Sequence, residues 1–245
     1  MVARTSDRSL LNYTGEFEPL YTALRSIEGR IYSDAQVGKL PEISEGHLYR
    51  EEWAIRKVSC KKLTNYLKKK KRSLKILEVG CGNGWLSHQL SKVQSSYVVG
   101  LDINLLELRQ AERVFVAVPN LAFVYGDIDS AFLGSQKFDI VVLAATVQYF
   151  DHLPEIIRKV MERLNDGGEI HLVDSHFYNA PEAEKARRRS AQYFEERGFE
   201  RMKEFYFHHS FEELNHFRYT ILYNPDSLVT RIMRNRNPFH WICIK

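Results

Sequence analysis

Ile76-Leu77-Glu78-Val79-Gly80-Cys81-Gly82-Asn83-Gly84-Trp85 is the stretch on which the fold turns. An apolar run of strand character passes into glycines at alternate positions, and a helix opens near Trp85. Glycine permits a sharp turn and has no Cβ to hold a ligand away from the main chain. A helix opening directly after such a turn presents free N–H groups to whatever the turn cradles. Taken alone, the loop also fits any tight strand-to-helix turn.

Outward from this loop, short apolar runs alternate with amphipathic stretches, the pattern of a parallel sheet with helices on its faces. Strands are expected at 74–79, 97–102, 121–125, 138–145 and 169–174, with helices at 85–93, 105–116, 153–164 and 181–197. Asn165-Asp166-Gly167-Gly168 reads as the turn into the fifth strand. Residues 217–223 and 239–244 are strand-like with no long helix between them, so an antiparallel pair at one end of the sheet is expected. The first 72 residues carry helical patterns at 17–27 and 47–67 and no strand-like run. The expected architecture is α/β: a doubly wound, seven-stranded, mostly parallel sheet with a reversed C-terminal strand. An N-terminal helical cap (1–72) precedes the Rossmann-like domain (73–245).

Three features give the glycine loop a ligand. Asp102 ends the second strand, roughly 20 residues on, where doubly wound folds place an acid that accepts hydrogen bonds from ribose hydroxyls. Gly126-Asp127-Ile128 follows the third strand, where an acid accepts a bond from an adenine amine. The crevice of such sheets lies outside the carboxyl ends of the strands, so Glu78, Asp102, Asp127 and Ala144 share one edge. A dinucleotide fingerprint requires a small residue at position 85, which is Trp85. That reading becomes a minor alternative.

LEVGCGNGWLS, VVGLDIN, VYGDID, FDIVVLAATVQYF and LNDGGEIHLVDS together resemble the motifs of the class I S-adenosylmethionine-dependent methyltransferases. The resemblance covers about residues 74–175, and the C-terminal strands are similar to the family's reversed final hairpin. It implies S-adenosyl-L-methionine as cofactor. It also implies that Glu78, Gly80, Cys81 and Gly82 surround the methionine part. Asp102 would hold the ribose, with Ile103 beside the adenine. Asp127 and Ile128 would read the adenine, and Ala144 would contact the cofactor through its backbone.

Methyl transfer from a sulfonium is an in-line displacement, so positioning and desolvation dominate, with a general base where the acceptor needs one. Tyr149, after the fourth strand, is a candidate wall for the methyl or its acceptor; loop packing explains it equally well. His176, after the fifth strand, is the first choice for a base, because imidazole titrates near neutrality. His47, beside Tyr49 and Trp53, stands where a helix could cover the cofactor. Surface or core roles are the plainer alternatives for both histidines. No set of acids is spaced for a metal, and the adjacent His208 and His209 would point apart on a strand.

A net charge of +4 is too mild for a domain that lives on nucleic acid. The run from Lys68 to Arg72 reads as a solvated helix end. The Asn/Asp-Pro-Pro-aromatic pattern of base-amine methylation is replaced by Leu143-Ala144-Ala145-Thr146. Three scattered cysteines, a charged start over Met1 to Leu11 and no apolar run of roughly 18 residues fit a cytoplasmic protein without a membrane span. The expected function is methylation of a small-molecule acceptor at oxygen or nitrogen. An RNA or protein methyltransferase and a non-catalytic S-adenosylmethionine-binding subunit are the alternatives.

Overall fold

A computed structural model describes residues 8–231 and 237–245; Met1 to Asp7, part of the charged start noted above, lie outside them. The strands are β1 (Leu74–Val79), β2 (Ser96–Asp102), β3 (Leu121–Tyr125), β4 (Phe138–Ala144), β5 (Leu164–Ser175), β6 (Tyr219–Tyr223) and β7 (His240–Ile244). They form one sheet in the order β3-β2-β1-β4-β5-β7-β6. β1 to β5 run parallel, and β7 lies antiparallel between β5 and β6. This is the doubly wound sheet with a reversed final strand that the sequence implies.

Alternate residues of the central strands feed two cores, as the twofold period of a strand requires. Ile76, Val98, Ile140 and Val142 join one layer, while Leu77, Val79, Val99, Val141 and Leu143 join the other. The helices are α1 (Arg8–Ile27), α2 (Asp34–Val37), α3 (Arg50–Lys68), α4 (Trp85–Ser91), α5 (Leu105–Val114), α6 (Leu153–Glu162) and α7 (Ala180–Glu195). α3 buries Trp53, Cys60, Leu63 and Leu67 in the same cluster as Leu74, Ile76 and Val173. The N-terminal segment therefore supplies a layer of the sheet's own core. Trp85 meets Trp53 edge to face at 5.2 Å, which explains a large side chain at that turn.

Three local readings change. The first helix starts at Arg8 rather than at 17 and runs on through Gly15 and Pro19. The stretch from Asn165 to Gly168 is not a turn before β5 but a bulge inside it: Phe138 pairs with Leu164 and Ile140 with Glu169. The basic run is partly anchored, with Lys70 on Glu169 at 2.7 Å and Arg72 on Asp139 at 2.9 Å.

Glu169, His171 and Cys243 bring three metal-capable atoms within 4.8 Å of one another, but Lys70 and Lys245 already neutralise that carboxylate. Among the described residues no helix is long and apolar enough to cross a membrane.

Candidate functional site

The strand order reverses between β1 and β4, and a cleft opens at their carboxyl ends, where doubly wound sheets bind ligands. The loop after β1 is pinned to the end of β2. Gly80 N and Cys81 N donate to Leu101 O at 2.8 and 3.1 Å, and Gly82 N donates to Asp102 Oδ2 at 2.6 Å. Gly80 has φ +74°, and a Cβ there would stand 2.2 Å from Thr146 Oγ1. No other residue fits this position.

Three cavities follow the cleft. The first, about 320 Å³, is lined by Asp102, Ile103, Asp127 and Ile128, with Phe17 and Tyr21 of α1 above them. The second, about 110 Å³, is lined by Glu78, Gly80, Cys81, Gly82 and Ala144 together with Arg25 and Glu107. The third, about 220 Å³, is lined by His176, His208, Tyr178, Tyr206, Phe207 and Phe239. Ala145 lines all three, so they adjoin one another. Ala145 (φ +52°) and Asp174 (φ +54°), beyond β4 and near the end of β5, both adopt a left-handed conformation that costs a non-glycine residue energy. Both face the third cavity.

The sheet thus gathers all nine cofactor candidates at one edge. Tyr149 lines the first two cavities and packs on Phe17, Tyr21 and Tyr206 at 5.4, 5.6 and 5.7 Å. His176 lines the third, against Phe239 at 4.6 Å. His47 lines none of them; its Nδ1 accepts from Tyr49 N at 3.1 Å. His208 and His209 do point apart, though not on a strand: His208 Nε2 meets Ser190 Oγ at 2.9 Å, and His209 Nε2 meets Val147 O at 2.9 Å.

Several lining residues escape a reading of motifs. Phe17, Tyr21 and Arg25 recur every four residues on α1 and so share one face. That face covers the cleft because Glu18 Oε1 accepts from Leu105 N at 2.7 Å, a carboxylate at the positive end of α5. Arg56 of α3 and Gln148 line both the second and third cavities. A basic residue one turn past two aromatics was the available signal for Arg25; nothing local marks Arg56.

Charge divides the cleft. Burial pushes the carboxyls of Glu78 and Glu107 up to about 8 and about 7, opposed by the Ser87 hydroxyl and by Arg25 respectively. Burial also raises Asp102, against backbone N–H groups of Asn104 and Gly82. In the third cavity burial lowers His176, with Arg189 adding to it, and takes His208 down to about 4, with Arg187 adding to it. Both imidazoles are neutral at pH 7 and able to accept a proton.

Residues 76–168 match the family model described as a methyltransferase domain. That stretch is a methyltransferase domain of the class I S-adenosylmethionine-dependent kind. The chain is 25% identical over 147 residues to a malonyl-[acyl-carrier protein] O-methyltransferase of Halalkalibacterium halodurans, covering 56% of this chain and 54% of that one. It is 29% identical over 102 residues to the phthiotriol/phenolphthiotriol dimycocerosates methyltransferase of Mycobacterium leprae, covering 41% and 37%. The matched stretch spans about half the length of the first relative and less of the second. The solved YcgJ protein of Bacillus subtilis superposes with a TM-score of 0.54 over 74% of this chain and 94% of its own. At 16% identity this shows a shared fold.

The residues present fit the family's cofactor. Strand-end acids face the first cavity, where a ribose and an adenine need acceptors. Arg25 Nε is buried without a hydrogen-bond partner among the described residues, on the wall of the second cavity, where a methionine carboxylate needs a donor.

Proposed function

We propose that the chain transfers a methyl group from S-adenosylmethionine to a small-molecule acceptor at oxygen or nitrogen. The observation that carries this reading is the row of adjoining cavities from the strand-end acids to a chamber of aromatic and histidine side chains, with Ala145 on the wall of each. When bound, S-adenosylmethionine supplies a methyl group activated by a sulfonium. Asp102 accepts from the ribose hydroxyls, Asp127 and Ile128 hold the adenine, and Ile103 packs beside it. Glu78, the glycine loop with Cys81, the Ala144 backbone and Arg25 bind the amino-acid end. Tyr149, with its phenol held protonated by burial, walls the cleft and excludes water. His176 is the neutral group placed to take a proton from an acceptor that must lose one. The relatives' names cite a malonyl group and phthiotriol dimycocerosates, which supports a small or acyl acceptor over a nucleic acid.

Calorimetry with S-adenosylhomocysteine tests the foundation. Binding is expected, and Asp102→Ala is expected to abolish it; no binding by the unmodified chain overturns the reading. Tight binding without methyl transfer to any acceptor would favour a non-catalytic subunit instead.

A further inference from the structure

The chamber beyond the cofactor end is aromatic and small, with Arg56 and Asp174 as its charged wall residues. Arg56 stands on the wall between the second and third cavities. Its Nε and Nη2 both donate to one oxygen of Glu52, at 3.0 and 2.9 Å, and its Nη1 has no hydrogen-bond partner among the described residues. Glu52 is shared with Arg30, whose Nη2 lies 2.7 Å from its other oxygen. Three guanidiniums, of Arg25, Arg30 and Arg56, thus face two carboxylates, of Glu28 and Glu52.

Further in, the acids are committed elsewhere. Asp174 accepts from Ser59 Oγ at 2.5 Å, and Glu213 meets His209 at 3.0 Å. Arg187 and Arg189 lie near enough to bear on His208 and His176, and His208 Nδ1 is buried without a partner among the described residues. Asp174 also lines the chamber, but Ser59 and Asn237 hold its carboxylate, so the charged donor left facing an occupant is Arg56.

We infer that the acceptor is a small aromatic carboxylic acid, held by Arg56 and methylated on a carboxylate oxygen to give the methyl ester. This rests on the methyltransferase reading above and names its substrate class. A cavity of about 150 Å³ takes one benzene ring, so the chamber of about 220 Å³ takes a ring with a short acid arm. Tyr178, Tyr206, Phe207 and Phe239 offer that ring its walls. With Nε and one N–H of Nη2 engaged by Glu52, Arg56 keeps both N–H groups of Nη1 and one of Nη2 for an occupant, enough to hold and orient a carboxylate.

One carboxylate oxygen gives a lone pair to the methyl carbon, the carbon–sulfur bond breaks, and its electron pair stays on sulfur as a neutral thioether. No proton moves, because a carboxylate is already ionised at neutral pH. His176 is then a wall rather than a base for this acceptor, and it shows only ring contacts, with Phe239 and Tyr178. The neutral ester no longer attracts the guanidinium, which favours its release.

The test uses the full chain with saturating S-adenosylhomocysteine, titrated with benzoate, phenylacetate and cinnamate and with their carboxamides. At least one acid is expected to bind about 10-fold or more tightly than its amide, and Arg56→Gln to erase that preference while S-adenosylhomocysteine binding persists. Arg56→Lys, which keeps one cation, is expected to preserve part of it, and serves if the glutamine variant does not fold. With methyl-labelled S-adenosylmethionine, the product's label should be released as methanol by alkali, as only an ester allows. Amides binding as well as acids, no acid binding, or an alkali-stable label would each overturn the inference. Failure to bind S-adenosylhomocysteine would instead strike the methyltransferase reading first.

Discussion

At the cofactor end of the cleft, Glu78, Asp102, Glu107 and Asp127 stand at the ends of strands or in the first turn of a helix, each within a few residues of a glycine or an Asn cap. At the acceptor end, Arg56, Gln148, His176, His208 and Phe239 come from five separate segments, and Arg56 and Asp174 replace the run of acids. An acidic end suits hydroxyls, amines and a sulfonium; a cation with free donors suits an anion. The boundary between them, at Ala145, Gln148 and Arg56, is where a cationic donor and an anionic acceptor would meet with opposite signs. The difference teaches that one half of the cleft is built by local geometry and the other by packing between distant elements.

The hardest blow to the cofactor half is Gly80→Val. Its Cβ has no room beside Thr146, and its backbone would be strained, so stability should fall by about 2–5 kcal/mol in urea unfolding, with cofactor binding lost. Asp102→Asn should weaken S-adenosylhomocysteine by about 100-fold in calorimetry, because a neutral amide cannot accept two hydroxyl bonds as a carboxylate does. Retained binding would move the ribose elsewhere.

Arg25→Met separates the two ends more finely. S-adenosylhomocysteine should bind about 10-fold more weakly, while 5′-methylthioadenosine, which lacks the amino-acid end, should bind as before. Equal losses for both ligands would show that Arg25 supports the fold of α1 rather than a carboxylate.

A smaller effect comes with pH. Glu78 and Glu107 titrate near 8 and 7 in the folded chain, against an ordinary 4.5. Between 4.5 and about 8 the unfolded chain holds fewer protons than the folded one, so stability without cofactor should decline as pH rises through that window. Glu107→Gln should flatten the decline in urea unfolding. The least change is expected from His47→Ala, which touches no cavity; a large loss of methyl transfer would extend the acceptor half towards Tyr32 and Tyr49.

Much of the cofactor half was legible because its signals are short-range. A strand's end, the glycines after it and an acid at the next strand's end are separated by few residues, and parallel pairing aligns them without reference to the rest of the chain. Trp85 was read only as a bar to the dinucleotide, whereas its large ring packs edge to face on Trp53. The bulge at Asn165–Gly168 was hidden, since glycines in a turn and glycines in a bulge look alike until a partner strand supplies the register.

By itself, the sequence determined the order of strands and helices, the glycine loop and the acids gathered at the strand ends, because each follows from backbone conformation over a few residues. Only the tertiary structure decided which guanidinium donors remain unengaged. Arg56 became a candidate for the acceptor because Glu52 takes only Nε and one N–H of Nη2, and Arg25 for the cofactor because α1 buries its Nε beside the loop. Electrostatic pairing depends on burial and on partners brought from other elements, and neither is written into the residues beside a charge.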